Sequence, residues 1–182
     1  MKIINNRGFA FAVCVLAAVI SIFGLGGGKL SRLRNEAENA FFDGNNGYSA
    51  YQDLMERREY AANLLQIAQQ TIPEEEVYQS AAEAFDSFTA SETPEEYYET
   101  NEVLQAAIDE LYQALSQAGM EEEAFRRADR QYVDFCSVMS NLRLDDYYND
   151  LAKEYNEVLE AFPTGIIAEV TGNGPLPVFS TQ

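Results

Sequence analysis

Histidine and tryptophan are absent from this chain of 182 residues, and cysteine occurs only twice. Each absence removes chemistry. Without His there is no Ser-His-Asp triad, no His base for a Cys nucleophile and no Cys/His zinc site. The Glu-x-x-His pairs of helical di-iron and di-manganese centres are excluded as well. Two cysteines are too few for an iron–sulfur cluster. Cys14 lies in an apolar run and Cys136 in a helical pattern, so they give no disulfide framework. Cys136 falls on an apolar face and reads as packing. No stretch alternates at period two for long enough to make a strand, and no Gly-rich phosphate loop follows one.

Positive charge is the next scarcity. The chain has 30 acidic and 12 basic residues, for a net charge of −18. Every acid lies at or beyond Glu36, where only Arg57, Arg58, Arg126, Arg127, Arg130, Arg143 and Lys153 oppose them. Such a surface repels nucleic acid and anionic headgroups. It suits solubility or a basic protein partner, and nucleic acid is not expected to bind. Carboxylates alone leave one enzymatic route open, a carboxylate-only metal site or enzyme. The acids, however, fall on the solvated faces of the helical patterns. No catalytic, cofactor-binding or metal-ligating residue is assigned, and no cofactor is expected.

What the chain does have begins with an uncharged stretch at 9–25, preceded by Lys2 and Arg7. A helix needs roughly 17–25 apolar residues to cross a bilayer core, and this run sits at the lower limit. It reads as an uncleaved single-pass anchor in the cell membrane in preference to a cleaved signal peptide. The basic residues on its two sides nearly balance, and the signal-like start places the C-terminal domain outside. Gly24, Gly26, Gly27 and Gly28 then read as a hinge, so 1–28 forms the anchoring segment.

From Lys29 onward the periodicity is helical. Leu30, Leu33, Ala37, Ala40 and Phe41 stripe 29–42, and the Asp43-Gly44-Asn45-Asn46-Gly47 run ends that helix. It reads as a turn, since the remaining calcium ligands are missing. Tyr51, Leu54, Met55, Ala61, Leu64, Leu65 and Ala68 stripe 48–70, with Arg57 and Arg58 on or beside that face, where an ion pair or a snorkelling stem is expected. Pro73 reads as the opening of a new first turn with Glu74, Glu75 and Glu76, where acids suit the helix dipole. Thr93-Pro94-Glu95-Glu96 is a capping box, and Gly119 is the stop. Whether 74–118 is one helix or two is open. A further helix covers 121–142.

The stretch at 148–163 organises the rest. Tyr148, Tyr155 and Phe162 recur every seven residues, with Leu151, Ala152, Val158 and Leu159 between them, and Pro163 stops the helix. Asn149 and Asn156 sit beside this seam, where an amide can bond to a neighbouring helix. The rings are expected to pack. Ile166, Ile167, Ala168 and Val170 suit one more helical turn, and Leu176 to Phe179 form an apolar tail docking on the bundle. The fold class is therefore all-α: an N-terminal transmembrane helix, then an antiparallel bundle of about four helices over 29–163, then a docking tail over 164–182.

The spacing of Tyr148-Asn149, Tyr155-Asn156, Phe162-Pro163, Ile167-Ala168, Gly172 and Phe179 resembles the C-terminal signature of the LemA family. Leu54, Arg57 and Asn63-Leu64-Leu65 match its first bundle helix. The resemblance covers about 9–180. Departures are Glu56-Arg57-Arg58 in place of a double Arg, and a missing His-Glu stretch. The resemblance implies a membrane-tethered helical bundle without catalytic residues. The function expected is a non-catalytic scaffold or protein-interaction module at the cell membrane. A signal-cleaved secreted helical binder is the other alternative. The partners expected are the bilayer, through the N-terminal helix, and a protein. Self-association follows if the Tyr and Phe stripes are left uncovered.

Overall fold

Seven-residue spacing governs the buried faces of the longest helices. The computed structural model describes Cys14 and residues 27–45, 47–144, 146–161, 164–171 and 173–179. These contain seven helices: α1 (Gly27–Asp43), α2 (Ala50–Thr71), α3 (Glu76–Thr89), α4 (Pro94–Gln117), α5 (Glu122–Leu144), α6 (Asp146–Glu160) and α7 (Thr164–Thr171). Among the described residues there is no strand, and the protein is all-α. An isolated bridge pairs Asn45 with Tyr48. The anchor expected at 9–25 lies outside the described residues except for Cys14. None of the described helices is long and apolar enough to cross a membrane.

The described residues within Met1–Glu38 and Asp150–Leu176 form one compact unit, and those within Asn39–Asn149 and Pro177–Gln182 a second. In the second unit α2 packs chiefly on α5, and α3 on α4. Helix α2 buries Ala50, Leu54, Arg57, Ala61, Leu64 and Ala68. Helix α4 buries Pro94, Tyr97, Asn101, Leu104, Ile108, Leu111 and Leu115. Steps of three and four keep one narrow stripe facing the neighbours. Phe88 of α3, with Phe135, Val138 and Leu142 of α5, completes this core. In the first unit Leu30, Leu33, Ala37, Ala152, Tyr155, Ile167 and Ala168 are buried.

Helix ends follow local chemistry. Ser49 caps α2 by accepting from the Gln52 N–H at 3.1 Å. Thr93 and Glu96 form the expected capping box, with Pro94 in the first turn of α4. Gly119 ends the helix–turn at φ +69°, a conformation glycine adopts without strain. Gly44, at φ +65°, has a stricter role: a Cβ there would lie 1.7 Å from the Tyr48 carbonyl oxygen. The Asp43–Gly47 run is thus the expected turn among its described residues.

Two expectations change, and one open question closes. Gly27 and Gly28 belong to α1 and not to a hinge, because buried Leu30 and Leu33 commit the chain to helix two residues earlier. The segment 74–118 is two helices, separated after Thr89. Pro73 does not open α3. Proline keeps Ile72 out of the α region, here at φ −136°, ψ 48°. Buried Ile72 then accepts from the Glu75 N–H at 3.2 Å, and helix begins only at Glu76. At the other end, α5 runs to Leu144 and α6 starts at Asp146. Phe162 and Pro163 lie outside the described residues.

Candidate functional site

Helix α6 uses its Tyr-Asn pairs to grip an extended part of its own chain. Tyr148 and Asn149 stand seven residues before Tyr155 and Asn156, and both tyrosines are fully buried. In the second unit Asn149 Oδ1 accepts from the Phe179 N–H at 2.8 Å, and its Nδ2 donates to the Phe179 carbonyl at 3.3 Å. The same Nδ2 donates to the Leu142 carbonyl at 3.3 Å. Tyr148 donates its hydroxyl proton to the Pro177 carbonyl at 2.8 Å. The Phe179 ring lies 5.9 Å from the Tyr148 ring, 6.2 Å from Phe41 and 5.3 Å from Tyr98.

The first unit repeats this chemistry. Asn156 Oδ1 accepts from the Leu176 N–H, and Asn156 Nδ2 donates to the Leu176 carbonyl, both at 2.8 Å. Tyr155 donates to the Gly174 carbonyl at 3.2 Å, and Arg34 donates to that carbonyl at 3.2 Å. The Arg34 guanidinium also lies 6.0 Å from the Tyr155 ring and pairs with Glu38 at 2.7 Å. An asparagine amide matches a peptide group, with one donor and one acceptor on the same edge. It can therefore stand in for a neighbouring strand, and it does so here for Leu176 and Phe179. The expectation that an amide here can bond to a neighbouring helix holds for Asn149, which reaches the Leu142 carbonyl of α5; the other partners of the two amides are extended backbone. The tyrosine rings pack as expected.

A second polar cluster lies in the core of the second unit. Arg57 is fully buried on the apolar face of α2. Its guanidinium stacks on Phe135 at 3.9 Å and donates to Gln105 Oε1. Gln105 Nε2 donates to Asp109 at 2.6 Å, and Tyr132 donates to the same carboxylate oxygen at 2.9 Å. Tyr132 lies flat on Tyr112, with ring centroids 3.9 Å apart and planes within 1°, and Tyr112 donates to Asp129 at 2.6 Å. Burial first, and then the Asp109 hydrogen bond, push the Tyr132 phenol above its ordinary value. For Tyr112 the Asp129 hydrogen bond comes first and burial second. Arg57 thus does not snorkel; it is held by a ring and an amide. The sequence reading missed Gln105, Asp109, Tyr112 and Tyr132 as a group. The available signal was that Gln105 interrupts the Leu104–Ile108 stripe.

Cys136 is a half-buried free thiol. Among the described residues no three His, Cys, Asp or Glu side chains are placed to hold a metal ion. A cleft of about 260 Å³ is lined by Gln66, Gln70, Thr71, Met120 and Arg127, among others. That is smaller than the roughly 300–1,000 Å³ of ordinary small-molecule sites. A hollow of about 700 Å³ is lined by five charged residues of α5 alone, and one helix face cannot enclose a ligand.

Compared with models of protein families, with curated proteins and with solved structures, the chain has no match.

Proposed function

We propose that the chain is a membrane-tethered, non-catalytic helical-bundle module of LemA-like character, acting as a scaffold or protein-interaction domain. Residues 9–25 anchor it in the cell membrane as a single pass, and an antiparallel bundle stands outside. One observation carries this reading. The side chains with the richest recognition chemistry, Tyr148, Asn149, Tyr155 and Asn156, hold the backbone of residues 174–179. These four of the residues that carry the LemA resemblance therefore have a folding role, and a signature of folding residues suits a module that works through its surface. That surface is acidic, which favours a basic protein partner.

Protease accessibility in intact cells tests the tether and its side together. Added protease should remove the domain while membrane fractions retain the N-terminal peptide. Recovery of the intact chain in the soluble fraction would refute the tether. Melting the purified protein with and without divalent cations tests the non-catalytic part. The melting temperature should not move, whereas a metal-dependent rise would point to carboxylate ligands.

A further inference from the structure

Tyr112 of α4 and Tyr132 of α5 meet face to face, and both are half-buried. Their ring centroids are 3.9 Å apart and their planes agree within 1°. Aromatic pairs ordinarily hold their centroids about 4.5–7 Å apart, so this pair is unusually close. Tyr51 and Tyr97, by contrast, meet at 5.6 Å with planes 72° apart. Each phenol of the stack also has a carboxylate of its own. Tyr112 donates to Asp129 at 2.6 Å, and Tyr132 donates to Asp109 at 2.9 Å. Packing alone does not require this, since a pair of Phe rings would stack as well.

A phenol gives up an electron more readily when its proton leaves at the same time, and a carboxylate already in hydrogen-bond reach can take that proton. Both hydroxyls hold their protons above the ordinary phenol range, so at neutral pH the two losses are coupled. We propose that Tyr112 and Tyr132 form an oxidation site, at which a one-electron oxidant such as a peroxyl radical or an oxidised metal complex joins them as an intramolecular dityrosine. Two equivalents of oxidant take one electron each, and the phenolic protons pass to Asp129 and Asp109. The two phenoxyl radicals then join through one ortho carbon of each ring. The hydrogens on those carbons move to the oxygens as the rings regain aromaticity, so the chain loses two hydrogen atoms in all. The fold holds the partners together, which makes the coupling unimolecular. The new bond staples α4 to α5 across the turn at Gly119.

Photogenerated tris(bipyridyl)ruthenium(III), applied to the dilute full-length chain in detergent, tests this. The wild type should gain dityrosine fluorescence, stay monomeric on denaturing gels and fall in mass by two hydrogen atoms. Trypsin should release residues 131–143, whose sole tyrosine is Tyr132, joined to residues 59–126. Further digestion should place the other end of the link on Tyr112. This mapping needs no variant. Tyr112→Phe and Tyr132→Phe should each abolish the fluorescent product, and Asp129→Asn should slow its formation, because an amide is a poor proton acceptor. Cys136 lies near the Tyr132 hydroxyl, and a thioether between them would also remove two hydrogens, but without dityrosine fluorescence. A chain that oxidises without gaining the fluorescent monomer overturns the inference. So does fluorescence that persists in both Phe variants or that appears only in cross-linked dimers.

Discussion

Two polar residues, Arg57 and Asn101, occupy seam positions of the core. Arg57 is stacked on Phe135 and bonded to Gln105, which passes the interaction to Asp109 and Tyr132. Truncating it strands that relay and leaves a cavity. Arg57→Ala should cost on the order of 3 kcal/mol in chemical denaturation. Asn101 is equally buried, yet its Nδ2 reaches only the Met139 sulfur at 3.4 Å, and its Oδ1 has no hydrogen-bond partner. Turning the amide over would only exchange which atom is left with the sulfur. Asn101→Leu, of similar size, should therefore raise stability by about 1 kcal/mol. A loss instead would mean that the amide is satisfied. The compensating role open to such a residue is register: a lone polar seam residue penalises slipped packings. Tyr132 adds a pH signature. Its folded-state pKa lies above the unfolded value of 10.0, so its contribution is complete below pH 10 and is lost as pH rises past that value. Melting profiles between neutral and strongly alkaline pH should fall above 10, and Tyr132→Phe should flatten part of the fall.

At the scale of elements, what was legible in the sequence was what local chemistry decides. The Thr93-Pro94-Glu95-Glu96 box, Gly119 and the Asp43–Gly47 turn each act through neighbours within a few residues. The Tyr148/Tyr155 stripe is legible for the same reason, since helical spacing alone puts both rings on one face. The seats for Leu176 and Phe179 were not. Asparagine advertises an amide, but nothing in the sequence says that its partner is a peptide group 20 or 30 positions further on. The Arg57–Gln105–Asp109 relay was hidden likewise, because it joins α2 to α4 across 48 positions. The start of α3 was misread because Pro73 fits both a first helical turn and the turn before one, and burial of Ile72 selects the second. The capping box of α4 makes a prediction at this scale. Glu96 accepts from the N–H groups of Glu92 at 2.8 Å and Thr93 at 3.2 Å, and those bonds hold its carboxyl below the usual range. Its folded pKa is depressed, so the contribution is present above the unfolded value and disappears as pH falls through the folded one. Thr93→Ala should cost about 1 kcal/mol at neutral pH. Glu96→Gln should remove the acid-sensitive share of the cap while keeping a hydrogen-bonding side chain, visible as a smaller decline in melting temperature on acidification.

For the whole molecule the deciding quantity is a net charge of −18 on 182 residues. The ion pairs described are short-range: Arg34 with Glu38, Arg126 with Glu122 and Lys153 with Asp150, each within one turn of its own helix. The latter two are well exposed and contribute little, roughly 0.3–0.5 kcal/mol for pairs of this spacing. Acids outnumber bases 30 to 12, and folding brings like charges closer together than they are in the unfolded chain. Self-repulsion then opposes folding. Salt screens that repulsion once the Debye length, about 10 Å at 0.1 M, falls below the typical separation of surface charges. The few local pairs that salt weakens are too small to offset the gain. Raising sodium chloride from low to near-molar concentration should therefore raise the melting temperature, and most of the rise should come below physiological ionic strength, where screening changes fastest. Hofmeister effects give the opposite profile, growing with concentration and depending on the anion, so comparing chloride with sulfate at equal low ionic strength separates the two. Equal shifts in the two salts would mark screening. A melting temperature that falls with added salt would mean that paired charges, and not surplus acids, dominate the electrostatics of this fold.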